Sequence, residues 1–369
     1  MEQERGRSIE AIAKWERPTF GSGPESFEAR KEENPVNLRM LAIILSTLLG
    51  ASPIAAQSTP ATALLVLAKR DQTLAIVDPT SLQVVTKVPA GPDPHEVIAS
   101  TDGKMAFISN YGGGAYNTIS VVDLGAQKAL PRVDLGALRG PHGLAFAAGK
   151  VYFTAEINKV IGSYDPVAQK IDWVLGTGQN RTHMIALSSA LDHIFASNVN
   201  SGTISIIERT TRPSAGSGTD WDETVVDTGR GTEGFDISPD GRELWSAAAD
   251  DGTISIIDVA AKKRVQTLQA NVNGANRLKF TTDGKLVFVS SLSGGGGLAV
   301  FEASSRRELK RVNVGHGAAG ILMQPDGTRA YVACSPDNYV VAIDLRTLEI
   351  IGRIDAGHQP DGLAWAVRQ

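Results

Sequence analysis

Three of the six histidines in this chain occupy the same place in a repeated frame, and a glutamate follows in a fourth copy. His95 lies in Pro94-His95-Glu96-Val97 and His142 in Pro141-His142-Gly143-Leu144. His183 lies in Thr182-His183-Met184-Ile185 and Glu233 in Thr232-Glu233-Gly234-Phe235. Three further copies carry Asn276, Ala319 and Asp361 at that place. Imidazole nitrogens suit zinc, copper, iron and nickel, whereas all-oxygen sets suit calcium or magnesium. Three imidazoles with a carboxylate or water match a catalytic metal that keeps an open position. A lone loop histidine is usually solvated, but three at one repeat position are poorly explained by chance. We therefore expect His95, His142, His183 and Glu233 to hold a divalent transition metal, with zinc favoured over copper, iron or nickel. Glu233 has a second reading as a general base. Arg181 and Arg277 flank ring positions and could hold a substrate carboxylate or stabilise an enolate, or serve as salt-bridged rim residues. Tyr111 is a candidate acid or stacking residue.

Residues so far apart in sequence meet only if the fold superposes equivalent positions. The stretch after Ser58 supplies such a fold as a repeat of forty to fifty residues. One unit reads clearly near the end. Gly320–Met323 is a first strand, Pro325-Asp326-Gly327 a turn and Ala330–Cys334 a second strand. Tyr339–Asp344 is a third, and 347–354 contains the fourth. The turn recurs as Asp102-Gly103, Asp240-Gly241 and Asp283-Gly284. Third strands recur at 74–78, 119–123, 204–208, 254–258 and 298–302, and their alternation predicts half-buried antiparallel strands. Even spacing of short strands with periodic glycine motifs points to an all-β, seven-bladed β-propeller over 58–369. The strand set 64–88 lacks a first strand, and the strand Asp361–Val367 lacks a set after it. Each orphan completes the other and closes the ring. The seven frame residues then converge at one mouth of the central channel. The loops 110–117 and 290–297, with Glu156, Asn198, Asp250 and Asp251, line the same mouth. Their glycine runs are expected to be flexible rims. His316 and His358 fall in equivalent loops three residues before the ring, and His193 falls on the opposite side. The Ser/Gly/Thr-rich segment 209–221 reads as an exposed loop insertion.

Tyr331-Val332-Ala333, with Pro325-Asp326-Gly327 before it and Val340–Asp344 after it, resembles the YVTN-type β-propeller repeat. So do Met105–Asn110 and Leu286–Ser290. That family includes surface, binding and enzymatic members, so the resemblance implies the fold and leaves the activity open. In one blade, Pro141-His142-Gly143 followed by 151–162 is similar to a repeat of the streptogramin-lyase propellers. Those are metal-dependent enzymes that open a cyclic ester by elimination. Gluconolactonase and paraoxonase propellers hold their channel metal with Glu, Asn and Asp, a pattern that Asn276 and Asp361 would fit and the histidines would not.

The remaining features bound these readings. Charge is moderate, with a formal net charge of −4, so nothing suggests nucleic-acid binding. Cys334 is the single cysteine, so no internal disulfide supports the fold. Residues 1–39 are polar, charged and aperiodic, whereas 40–49 are apolar at signal-peptide length and 51–56 form a small-residue cleavage region. Met40 stands as an alternative start. These features predict signal cleavage near Gln57, a periplasmic or secreted protein and no membrane association afterwards. A monomer acting on a small-molecule substrate is expected. The leading functional expectation is metal-dependent opening of a lactone or ester by hydrolysis or elimination. A non-catalytic binding propeller and a copper or iron redox enzyme are the alternatives.

Overall fold

A computed structural model describes residues 57–211, 219–293 and 297–368. The extension 1–39 and the apolar segment 40–56 lie outside the described residues. Within them, 28 strands form seven four-stranded antiparallel sheets. Two single 3-10 turns, Gly112–Gly114 and Glu156–Asn158, are the other regular elements. Blades 1 to 7 are numbered by their inner strands: Pro94–Ala99, Pro141–Ala147, Thr182–Leu187, Thr232–Ile237, Ala275–Phe280, Ala318–Met323 and Pro360–Val367. Each inner strand packs against the next, and blade 7 returns to blade 1, so the molecule is a closed seven-bladed β-propeller.

The closure has the expected form. The last inner strand pairs with Thr62–Ala68 in the register Thr62↔Val367, Leu64↔Trp365 and Val66↔Leu363. Trp365 also donates its indole N–H to the Met323 carbonyl of blade 6 at 2.7 Å. Ends of the chain are thereby joined without a covalent link, and the inner edge of Thr62–Ala68 is paired.

Burial along the third strands differs from the expected half-buried alternation. Leu74, Ala75, Ile76 and Val77 are all fully buried. Blades stack face to face, so both faces of a middle strand are covered by neighbours. Alternation is clear in the outer strand Lys170–Gly176, where every second residue is exposed. The segment 209–221 also departs from a simple loop. Strands Thr203–Thr211 and Thr219–Asp227 extend the blade 3 hairpin until Thr211 faces Thr219. Trp221 packs on Trp173 at 5.6 Å between ring centroids, anchoring this extension to blade 2.

Candidate functional site

One backbone device, used seven times, aims the ring residues. Two residues ahead of each ring position, the chain enters the left-handed region at Asp93, Gly140, Arg181, Gly231, Gly274, Gly317 and Gln359, with φ between 43° and 74°. The inner strand then loses register with its partner across the ring position, between Pro94 and Val97 in blade 1 and between Pro141 and Leu144 in blade 2. Such a bulge re-aims a side chain. Here it turns residues of adjacent blades toward one another. The residue after the ring position is glycine in four blades, because a Cβ on Gly143 would stand 2.5 Å from the His183 carbonyl oxygen. Second-strand hydroxyls lock the arrangement. Thr154 accepts the Gly143 N–H at 2.9 Å and donates to the His183 carbonyl at 2.6 Å.

Ring residues of blades 1 to 4 form a continuous chain of contacts. The His95 and His142 rings meet edge to face with centroids 5.1 Å apart, and those of His142 and His183 lie 3.7 Å apart. His183 Nε2 is 3.1 Å from Glu233 Oε1. Its Nδ1 is hydrogen-bonded to Glu156 Oε1. Glu156 enters from the 3-10 turn between the second and third strands of blade 2. A backbone bond from Glu156 N–H to Gly140 O (3.0 Å) and a bond from Arg139 N–H to the side-chain Oδ1 of Asn158 (2.7 Å) hold that turn over the mouth. His142, Glu156 and His183 each place a donor atom within 4.8 Å of the others. All three are buried, and the Nδ1 of His142 has no hydrogen-bond partner among the described residues. A buried, unpartnered imidazole nitrogen beside a second imidazole and a carboxylate fits a borderline divalent metal.

Electrostatics set the protonation states. Burial, then the neighbouring charges of His183 and His95, push His142 well below the ordinary histidine value, so it is neutral with a free lone pair. Burial also opposes charge on His183, but the carboxylates of Glu233 and Glu156 outweigh it and raise its pKa. Burial opposes charge on Glu233 too, yet His183, Arg277 and Arg181 bring it down to about 2. Burial, reinforced by Glu156, raises Tyr111 to about 12. Its hydroxyl donates to Glu156 Oε2 at 2.6 Å.

The other sequence candidates divide by position. His95 lies at the edge of the cluster, partly exposed, with Nδ1 3.5 Å from Asp93 Oδ2, and it is outside the compact donor set. Glu233 is likewise outside that set and acts on His183 from the far side. Arg181 is one-third exposed (34%), with Nε 3.5 Å from Glu156 Oε2. Arg277 is buried and reaches Glu233 Oε1 at 3.5 Å from below the ring, not from the rim. Asn276 donates to Glu233 at 2.7 Å, and Asp361 pairs with Lys69 at 2.7 Å. His316 and His358 are exposed and pair with Asp337 and Asp71. His193 pairs with Asp192. The run Gly112–Gly114 forms a 3-10 turn tied to Asp93 Oδ2 through Gly112 N–H at 2.7 Å. The run at 294–296 lies outside the described residues.

Sequence reasoning placed Glu156 at the mouth but not among the metal ligands. Its signal was present: it is the first residue after the second strand, where Tyr111 and Lys69 of other blades also reach the ring. Glu96, which touches Arg277, was missed altogether.

No family model matches the chain, and no curated protein matches it. Solved structures share its architecture. A candidate 6-phosphogluconolactonase from Bacteroides uniformis is 15% identical, with a TM-score of 0.67, and 82% of this chain covers 99% of that one. A functionally unknown protein from Desulfotomaculum acetoxidans is 13% identical at a TM-score of 0.67, covering 83% and 99% of the two chains. The dihydro-heme d1 dehydrogenase NirN, solved in complex with DHE, is 14% identical at a TM-score of 0.58, covering 83% of this chain and 75% of that one. At such identities the likeness is one of fold.

Proposed function

We propose that this propeller is a metal-dependent enzyme that opens a lactone or ester at the channel mouth. The observation that carries the reading is the buried set His142, Glu156 and His183, with the unpartnered Nδ1 of His142 inside it. Two imidazoles and one carboxylate leave an open position on a four-coordinate ion, and zinc suits that donor set best. A divalent ion there would supply Lewis acidity toward a carbonyl and toward water. Neutral His142 offers a lone pair without first losing a proton. Glu233 fixes the His183 ring through Nε2, the usual carboxylate partner of a ligating imidazole. Held also by Asn276 and Arg277, it is an orienting group for that ring. Tyr111 keeps its proton at neutral pH and stands ready to donate it, and Arg181, partly exposed above Glu156, can receive the developing oxyanion or a substrate carboxylate. The candidate lactonases that share the fold support the reaction class by analogy only.

We also propose export, from the apolar segment 40–49, which N-terminal sequencing of the mature protein would test. The central experiment is elemental analysis of purified and metal-loaded protein. Wild type is expected to hold about one transition-metal ion per chain, and His142→Ala and His183→Ala to lose it. Wild type that neither carries nor takes up such an ion would overturn the proposal and leave a binding propeller. Lactones and aryl esters presented to loaded protein would then identify the substrate.

A further inference from the structure

The residue after each ring position is a tight place in the repeat. Glycine fills it in blades 2, 4, 6 and 7, where a Cβ on Gly234 would lie 2.6 Å from Arg277 Cα and one on Gly320 would lie 2.2 Å from the Asp361 carbonyl oxygen. Blades 1, 3 and 5 carry Glu96, Met184 and Arg277 instead. Two of these three are charged, and they meet. Arg277 Nη2 is hydrogen-bonded to Glu96 Oε1, a contact between blades 1 and 5 that crosses the channel one residue below the ring. The guanidinium also donates to the Asn276 carbonyl at 3.1 Å and to Asn276 Oδ1 at 3.3 Å, and lies 3.5 Å from Glu233 Oε1. Arg277 is only 6% exposed.

Stability alone does not explain this strut. Desolvating a guanidinium and two carboxylates costs about as much as their attraction returns. Glycine demonstrably serves the fold at the same place in four other blades. A local rule broken in three blades, in two of them by charged residues that find each other across the channel, points to function. The position reached by the strut is Glu233, which in turn holds His183.

We propose that Glu96 is a positioning residue. Through Arg277 it holds the Glu233 carboxylate against His183 Nε2 and so fixes the imidazole at the metal cluster, and the same pair closes the channel beneath the site. The inference rests on the proposed metal function only for one of its two readouts.

The test uses Glu96→Asp and Glu96→Gln in the full chain. Aspartate keeps the charge and loses roughly 1.5 Å of reach, about one bond length; glutamine keeps the reach and loses the charge. Long-range 1H–15N NMR of metal-free protein reads the His183 Nε2 hydrogen bond, with Glu233→Ala as the reference for its loss. Cobalt(II) titration reads affinity and, through the visible spectrum, ligand geometry. Thermal melts check folding, and Glu96→Asp preserves the test if the glutamine variant does not fold. Both Glu96 variants are expected to move the His183 Nε2 resonance toward the reference. Both are expected to weaken cobalt binding about 10- to 100-fold, as loss of groups that orient metal ligands does. Wild-type behaviour of Glu96→Asp beside an altered Glu96→Gln would show a simple field effect and overturn the positioning role. An unmoved resonance in both variants would also overturn it. A moved resonance in a protein that binds no cobalt would uphold the positioning role and defeat the metal reading.

Discussion

The two arcs of the ring share a backbone and differ in what their side chains do. From blade 1 to blade 4, His95, His142, His183 and Glu233 touch in sequence, and the His142 to His183 separation is 3.7 Å between centroids. From blade 5 to blade 7 the chain of contacts stops. Asn276 turns back to Glu233, Ala319 offers no polar group, and Asp361 satisfies Lys69. Left-handed entry and bulge are the same in both arcs. Equivalent geometry therefore does not confer equivalent chemistry. The difference lies in polar satisfaction. The buried charge of Asp361 is paired, whereas His142 keeps a buried nitrogen without a partner. Unsatisfied buried polarity is costly to the fold and useful to a ligand.

Three experiments test that contrast. The largest effect belongs to the closing strand that bears Asp361. Removing 361–369 strips blade 7 of its inner strand, exposes the edge Thr62–Ala68, and uncovers Leu64 and Val66. The loss is expected to exceed the roughly 5–15 kcal/mol that hold a domain together. Circular dichroism would show no cooperative melt, and a cooperative melt near the wild-type temperature would refute non-covalent closure.

Single substitutions come next. Asp361→Ala leaves Lys69 without its partner and is expected to cost about 2–3 kcal/mol, less than a fully buried pair because Lys69 is 23% exposed. It should leave metal content unchanged. His142→Ala has the opposite profile: metal is lost, while stability changes by no more than about 1 kcal/mol, since the cavity is offset by removal of an unsatisfied nitrogen. Urea titrations with metal analysis would decide. Equal destabilisation by both variants would erase the distinction between the arcs.

The smallest effect is one of pH. Burial opposes the charge on His183, but Glu233 and Glu156 raise its folded pKa above the ordinary 6.5. A base so shifted contributes stability that is complete below its unfolded pKa and is lost as pH rises through the folded one. Metal-free wild type is therefore expected to melt at progressively lower temperature as pH climbs above that ordinary value. His183→Gln should lack this alkaline decline. Asp361 contributes in the other direction. Burial opposes its ionisation, but Lys69 and His95 lower its pKa, so its stabilisation is present above the ordinary carboxylate range and fades in acid. Asp361→Asn should flatten part of the acid decline and leave the alkaline one intact.

Much of this molecule was legible before folding. Asp-Gly corners, period-2 strands and a four-strand unit repeated to a count of seven specified the propeller. The unmatched strand at each end specified its closure. The histidines could be assigned to one mouth because repeat equivalence, not sequence distance, decides which residues meet. The double burial of the third strands was not legible, because their alternation looks the same whether one face or both are covered by a neighbouring blade. The extended blade 3 hairpin was hidden by its composition, since Ser and Thr also suit a loop.

The fold, its closure and the candidate ring were readable from local patterns, because strand period, turn chemistry and repeat count are properties that stacking preserves. Packing across the channel selects which ring members work together. It separated His95 from the compact donor set, drew Glu156 in from a 3-10 turn, set Glu233 behind His183, and joined Glu96 to Arg277 across 181 residues of sequence. The reason is physical. Side-chain reach, burial and unmet hydrogen bonds depend on what lies across the channel, and blades opposite in space leave no mark on one another's local sequence.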